Sequence, residues 1–233
     1  MQAAEKLSGQ ADPESEASRR PESEASEKVS ALAVIREHTR DLHQWLEASI
    51  DMQAYLASRA SYAGLLRRYL SVYEPFEALL GALPEPGRAV VQSFYQSKAA
   101  LLHRDLLALD PPWQDSVQPE AQGRGQSASD SLHQFPAAAS AMDDALGRLY
   151  VVEGSQLGGQ LIVRQVEEKL GLGAESGAAF FTGGGSATGA GWKRFKDLLD
   201  ANVDIPADAA RSASAMFHEF HRALAGPGDG RPA

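Results

Sequence analysis

Apolar positions recur every three or four residues along most of the chain, which is the repeat of one face of an α-helix. In the first such segment, Ser30 is suited to cap a helix that begins directly after it. The positions that follow the repeat there are Leu32, Ile35, Thr39, Leu42, Trp45 and Leu46. Further helices are predicted at about 59–80, 87–109, 137–170, 192–201 and 206–224. Because the sequence has no alternating, strand-like segments, the pattern predicts an all-α fold.

The two ends of the chain are poor in the larger apolar residues that a core needs, and residues 8–27 contain none larger than alanine apart from proline. Residues 1–28 are rich in Ser, Glu, Ala and Pro and are predicted to form a disordered acidic tail, and residues 226–233 a disordered end. Between them, residues 29–225 are predicted to form one helical domain with a polar loop at about 115–130. With no apolar run of about 18 residues and no signal-peptide core, we expect a cytoplasmic protein without a membrane partner.

Composition narrows the chemistry that this chain of 233 residues can perform. It contains no cysteine, which excludes disulfides, thiolate metal sites, iron–sulfur clusters and cysteine nucleophiles. Any bound metal must therefore be held by histidine, carboxylate or main-chain oxygen. The formal net charge of -9 argues against a nucleic-acid partner, which is bound through basic patches.

His43 differs from the other five histidines in its neighbours. It lies in the apolar repeat of the first helix, and Glu47, four residues later, shares its helical face. A metal-ligating imidazole usually donates a hydrogen bond from the N–H of its second ring nitrogen to a carboxylate or carbonyl oxygen. The same spacing is also typical of a purely structural His–Glu pair, so the spacing alone leaves both interpretations open.

Three glycines, Gly154, Gly158 and Gly159, fall inside the longest predicted helix. Each costs about 1 kcal/mol of helix stability relative to alanine, so their grouping needs a reason. Glycines permit a kink, and they let a backbone approach a flat ligand closely. Close packing between two helices is the alternative explanation.

Three segments of the chain together resemble the biliverdin-producing haem oxygenases, and the bacterial members in particular. Residues 35–47 (IREHTRDLHQWLE) resemble the first-helix signature that carries the iron-ligating histidine. Residues 149–160 (LYVVEGSQLGGQ) resemble the distal helix, kinked at glycines over the porphyrin. Residues 179–182, the following glycine-rich loop and residues 191–196 match a third region in the same order. The resemblance implies a helical bundle with haem sandwiched between a proximal first helix and a glycine-kinked distal helix.

The resemblance also implies roles for individual residues. His43 is the expected proximal ligand of the iron of haem b (iron protoporphyrin IX), with Glu47 accepting a hydrogen bond from its other ring nitrogen. The expected distal wall consists of Gly154, Ser155, Gly158 and Gly159. The expected partners of the haem propionates are Arg36 and Lys196, with Lys193 or Arg194 as further candidates.

One position departs from the animal enzymes, which carry an aspartate on the distal helix where this chain has Ser155. Bacterial members that resemble this chain lack the aspartate as well. Water near the iron is then expected to be ordered by backbone groups, by Ser155 or by Tyr73. Tyr73 fits equally well as a core aromatic of the second helix.

The activity implied is oxidative cleavage of haem, which is both cofactor and substrate, to biliverdin, carbon monoxide and ferrous iron. Dioxygen is the oxidant, a ferredoxin or a reductase supplies electrons, and a bacterial phytochrome is a candidate acceptor of biliverdin. The alternative is a haem carrier or sensor of the same fold without turnover. A thiaminase-like enzyme needs a cysteine that is absent, and a di-iron oxidase needs Glu-x-x-His pairs that are not evident. A helical scaffold without a ligand leaves the glycine group unexplained.

Overall fold

The computed structural model describes residues 30–109, 140–183 and 188–225. Within those ranges the chain forms α-helices joined by short connections, and no strand. The helices are α1 Ala31–Ser49, α2 Met52–Tyr55, α3 Arg59–Gly81, α4 Gly87–Gln92, α5 Lys98–Leu109, α6 Ala141–Leu170, α7 Ala179–Thr182, α8 Thr188–Asn202 and α9 Pro206–Leu224. The all-α fold class is therefore confirmed. The predicted disordered ends and the polar loop at 115–130 lie outside the described residues.

The helix α9 lies at the centre of the packing and contacts both α1 and α6 over most of its length. On its other side the bundle is completed by α3, which packs against α5 and α9. Apolar side chains from these helices form one buried core, which includes Leu66, Leu102, Leu149 and Phe217. The packing leaves α1 and α6 as the two walls of a cavity.

Local signals in the sequence set several helix ends as predicted. The Ser30 side chain accepts a hydrogen bond from the backbone N–H of Ala33 and caps α1. At the C-terminal end of α6, Gly171 adopts the left-handed conformation with φ 65°, which glycine reaches without steric cost. Pro206 occupies the first turn of α9, where its missing N–H is not needed.

Other helix boundaries depend on contacts between distant residues. The predicted helix at 87–109 is two helices, α4 and α5, because the Glu77 carboxylate on α3 accepts the backbone N–H groups of Lys98 and Ala99. The helix predicted from 192 begins four residues earlier, at Thr188. Although interruptions were predicted at its glycines, α6 stays helical through all three.

Among the described helices, none is both long enough and apolar enough to cross a membrane. The described residues also hold no group of three or more His, Asp or Glu side chains that could bind a metal ion.

Candidate functional site

A cavity of about 640 Å³ lies between α1 and α6. Its lining is mostly aromatic and aliphatic, and polar side chains in it are few. The lining residues are His43, Leu46, Glu47, Ile50, Met52, Tyr69, Tyr150, Val151, Gly154, Ser155, Leu157, Gly158, Leu161, Ile162, Gln165, Trp192, Phe217, Phe220 and Leu224. This volume and lining are typical of a site for a small organic ligand or cofactor.

His43 stands on the α1 side of this cavity. Its side chain is 59% exposed, and the edge of its ring meets Phe217 on α9 with the ring centroids 5.9 Å apart. Glu47 Oε1 lies 3.7 Å from His43 Nε2, which is close enough for an ion pair with a protonated ring but too long for a hydrogen bond. His38 is exposed on the same helix and does not line the cavity.

The glycine segment of α6 lies on the opposite wall, but its three glycines face different surroundings. At Gly158 a Cβ atom would meet no protein atom within 4 Å. At Gly154 it would approach the Trp192 ring of α8 at 3.8 Å. Gly159 is buried and faces α7, where a Cβ would lie 3.2 Å from the Phe181 carbonyl oxygen. Gly154 and Gly158 therefore line the cavity, whereas Gly159, predicted for the same wall, packs against α7 instead.

Ser155 lines the cavity, and its hydroxyl donates a hydrogen bond of 2.7 Å to the Val152 carbonyl oxygen. Tyr73 is fully buried behind this wall rather than in it, and its hydroxyl has no hydrogen-bond partner among the described atoms. Burial raises the pKa of the Tyr73 phenol well above its ordinary value, and the nearby Ser155 hydroxyl acts in the opposite direction. A buried, unpaired phenol beside Ser155 is a polar group available to an ordered water.

Basic residues are concentrated in a second recess of about 490 Å³ that adjoins the cavity along α1. We call it the basic recess; it is lined by Ala33, Arg36, Glu37, Thr39, Arg40, His43, Gln44, Tyr150 and Phe217. Burial raises the pKa of the Tyr150 phenol, while the Thr39 hydroxyl and the Arg36 charge lower it. The recess and the cavity share His43, Tyr150 and Phe217, so an anionic group placed beside Arg36 can belong to a ligand in the cavity.

The other predicted basic residues are elsewhere. Lys193 and Arg194 are exposed on α8, Lys196 is half-buried there, and none of the three lines the cavity or the basic recess. From α8 the cavity receives Trp192 instead, whose ring lies 5.7 Å from that of Tyr150.

Several lining residues were not predicted from the sequence. Tyr150 and Trp192 lie inside segments 149–160 and 191–196, which carry the family resemblance. Their place in those segments was the signal that could have identified them. Arg40 stands four residues after Arg36 on the same helical face and could have been found by that spacing. No sequence pattern identified Phe217 and Phe220 as cavity-lining residues, because only the packing of α9 against α1 brings them there.

These features define the class of helical bundles that hold a flat, largely apolar ligand with an anionic end between two helices. A protein-family model described as "Heme oxygenase" matches residues 29–225. A protein named "Heme oxygenase" from Xanthomonas campestris pv. campestris (strain 8004) is 31% identical over 173 residues, which span 71% of this chain and 89% of that protein. The chain belongs to the haem oxygenase family, and it is a haem-degrading enzyme.

Solved structures agree in fold at low sequence identity. Heme oxygenase from Leptospira interrogans has a TM-score of 0.65 and 18% identity, over 84% of this chain and 98% of that one. Heme oxygenase-1 from the cyanobacterium Synechocystis sp. PCC6803, in complex with heme, has a TM-score of 0.65 and 18% identity, over 84% and 91%. Heme oxygenase 2 from Chlamydomonas reinhardtii, solved without heme, has a TM-score of 0.68 and 18% identity, over 84% and 96%.

Proposed function

We propose that haem binds in the cavity between α1 and α6 with His43 as its axial ligand, and is cleaved there to biliverdin, carbon monoxide and ferrous iron. The observation that carries this proposal is that His43 and the Gly154–Gly158 segment face one cavity from opposite walls. One wall thus offers a metal ligand, and the other offers a surface without side chains at Gly154 and Gly158. That combination suits a flat macrocycle with a ligand site on each face.

The chemistry of the lining supports haem as the occupant. Leu157 and Leu161 remain 46% and 65% exposed at the cavity, although large aliphatic side chains on a packed helix are usually covered. A bound porphyrin covers them. Arg36 in the basic recess, with the Tyr150 hydroxyl, receives the propionates at the other end, and Arg40 can join them by exchanging its ion pair with Glu37 for a propionate. Lys193, Arg194 and Lys196 belong to the outer surface of α8 in this arrangement.

His43 ligates the iron through one ring nitrogen, and the N–H group of the other ring nitrogen donates a hydrogen bond to Glu47. Glu47 Oε1 lies 3.7 Å from Nε2, so ligation through that nitrogen would require a rotation of the ring. Because the side chain is more than half exposed, little packing opposes that rotation. The Glu47 carboxylate then fixes the tautomer and the ring orientation.

On the α6 side, Gly154 and Gly158, with Ser155 between them, would leave room for dioxygen beside the haem. The bound haem supplies the redox chemistry, once an external ferredoxin or reductase provides electrons. The Ser155 hydroxyl would accept a hydrogen bond from water on this side, because its own proton goes to Val152, and the buried Tyr73 hydroxyl beside it would donate to the same network. The biliverdin produced is available to an acceptor such as a bacterial phytochrome.

The test is a titration of the purified protein with haemin, followed by a reductase system or ascorbate under air. Catalase is included so that free peroxide does not degrade the haem. We expect a saturable one-to-one Soret band that decays into the broad red absorption of biliverdin, with carbon monoxide released. A Soret band that persists with several electron donors identifies a haem carrier or sensor instead. The absence of saturable binding overturns the haem site.

A further inference from the structure

Asp105 is a buried carboxylate on α5 that the cavity itself does not use. It is completely inaccessible to solvent, and its two oxygens accept backbone N–H groups of Ala179 and Phe180 at 2.8 Å each. Burial raises the pKa of the Asp105 carboxyl, while the two backbone hydrogen bonds and Arg104 lower it. Asp105 thus holds the first turn of the one-turn helix α7 by two hydrogen bonds.

The helix α7 in turn supports the glycine segment of α6 from behind. The Phe181 carbonyl oxygen lies 3.2 Å from the position of a Gly159 Cβ, so the two backbones are in direct contact. At the C-terminal end of α7, Oε1 of the Gln156 side chain lies 2.7 Å from the position of a Cβ on Gly183, whose φ is 51°. A displacement of α7 therefore reaches the α6 backbone at Gly159, next to the cavity-lining Gly158.

The two phenylalanines of α7 also support the floor of the cavity. The ring of Phe180 lies 5.1 Å from Tyr69 and 5.4 Å from Tyr73, and Phe181 lies 5.6 Å from Tyr69. Tyr69 lines the cavity, and Tyr73 is the buried phenol beside Ser155. The position of α7 is thus transmitted both to the α6 wall and to the tyrosines.

We infer that Asp105 is a positioning residue, which holds α7 in place and thereby sets the distance of the α6 glycine segment from the haem. It touches neither haem nor a reacting group. The inference rests on the proposed function in one respect, the placement of haem beneath that segment. Its physical basis is that a rigid contact between backbones transmits a small displacement, which a flexible side chain would absorb.

The chain contains a matched control, Asp143. This aspartate is equally buried, and its carboxylate accepts the backbone N–H groups of Asp204 and Ile205 at 2.9 and 3.2 Å, just before α9. It lies about 17 Å along α6 from Gly154, at a rise of about 1.5 Å per residue. Replacing either aspartate by asparagine leaves one acceptor oxygen and sets an N–H donor against the other backbone N–H, so one of the two capping bonds is lost in each variant, but only Asp105 supports α7.

The first measurement is amide hydrogen exchange of the haem-free protein. In Asp105→Asn we expect exchange to accelerate by about tenfold at residues 178–183 and to rise also at residues 153–160 of α6. In Asp143→Asn the acceleration is expected at residues 203–209 without a rise at 153–160. Unchanged exchange at 153–160 in Asp105→Asn overturns the transmission from α7 to α6.

The second measurement is made on the haem complex. In Asp105→Asn we expect the C–O stretching frequency of the carbon monoxide complex to shift, and kcat to fall about tenfold while the Kd for haem stays within about twofold. Asp143→Asn is expected to keep the wild-type frequency and kcat at a similar loss of thermal stability. Equal changes in both variants mean that Asp105 is only a structural cap.

A milder variant covers the case in which Asp105→Asn does not fold. The Tyr62 hydroxyl donates a hydrogen bond of 3.0 Å to the Gly177 carbonyl oxygen, immediately before α7. Tyr62→Phe loosens the same segment and is expected to change exchange and the C–O frequency in the same direction. If wild-type protein fails to bind haem, the proposed site is wrong, and the exchange experiment still decides the coupling of α7 to α6.

Discussion

The indole of Trp45 on α1 stacks on the imidazole of His221 on α9, with ring centroids 3.6 Å apart and planes inclined by 14°. The Ser49 hydroxyl donates its proton to the Trp45 carbonyl oxygen at 2.8 Å. Because its proton is used there, the Ser49 hydroxyl oxygen accepts a hydrogen bond from His221 Nε2, 3.2 Å away. His221 Nε2 therefore carries a proton. These contacts hold the second half of α1 beside α9, two residues beyond His43.

Replacing Trp45 by alanine is expected to destabilise the protein and to weaken haem binding through the position of α1. Because Trp45 is only partly buried, we expect a loss of about 2 kcal/mol and a fall in Tm of roughly 6 °C. His218 meets the same indole only edge-on, with centroids 5.3 Å apart, and is exposed. His218→Ala is therefore the control, with an expected loss below about 0.5 kcal/mol. Thermal unfolding of both variants measures the two losses of stability. Equal losses in Trp45→Ala and His218→Ala would contradict this prediction.

His43→Ala is expected to abolish the native haem spectrum and turnover, because it removes the nitrogen ligand from the α1 wall. Added imidazole should restore part of the Soret band, since it can fill the vacated space. The control is His38→Ala, which removes an exposed histidine from the same helix outside the cavity. Wild-type spectra and rates in His43→Ala would exclude this histidine as the ligand.

Gly158→Leu is expected to block the cavity while leaving the helix at least as stable. No protein atom lies within 4 Å of a Cβ at Gly158, so the added side chain occupies the space assigned to haem and dioxygen. Gly64 on α3 is also helical with open space around its Cβ, and Gly64→Leu serves as the control. Both changes gain up to about 1 kcal/mol in helix propensity. We expect haem affinity to fall at least about tenfold in Gly158→Leu and to stay unchanged in Gly64→Leu. Unchanged affinity in both variants would contradict the placement of haem in this cavity.

Glu153→Gln is expected to stabilise the protein increasingly as pH rises. Burial raises the pKa of the Glu153 carboxyl above its ordinary value, against the opposing charge of Lys98. The folded protein thus holds a proton that the unfolded chain has already released, so wild-type stability falls as pH rises through the folded-state pKa. Urea unfolding at about pH 5 and about pH 7.5 should show a larger advantage of the variant at the higher pH.

The control for this pH dependence is Glu168→Gln, which replaces an exposed glutamate on the same helix. Its effect is expected to stay below about 0.5 kcal/mol at both pH values. If the advantage of Glu153→Gln is the same at both pH values, the explanation by burial of an ionised carboxylate fails.

The helices could largely be predicted because their causes are local. Ser30 before an apolar repeat, Gly171 after one and Pro206 at the start of another each act on a neighbouring turn of backbone. The division of 87–109 into two helices could not be predicted, because the Glu77 carboxylate that caps α5 comes from 21 residues earlier in the chain. A helix repeat carries no information about such a contact.

The sequence alone determined the all-α class, through the spacing of its apolar residues, and its resemblance to the haem oxygenases pointed to His43 and to the glycine segment of α6. Only the tertiary structure decided which way these groups face. Gly158 and Gly159 are adjacent in sequence but about 100° apart around α6, so one meets the cavity and the other meets Phe181. Likewise, Arg36 borders the basic recess and Lys196 does not, because the packing of α1, α6 and α9 determines which surfaces enclose it.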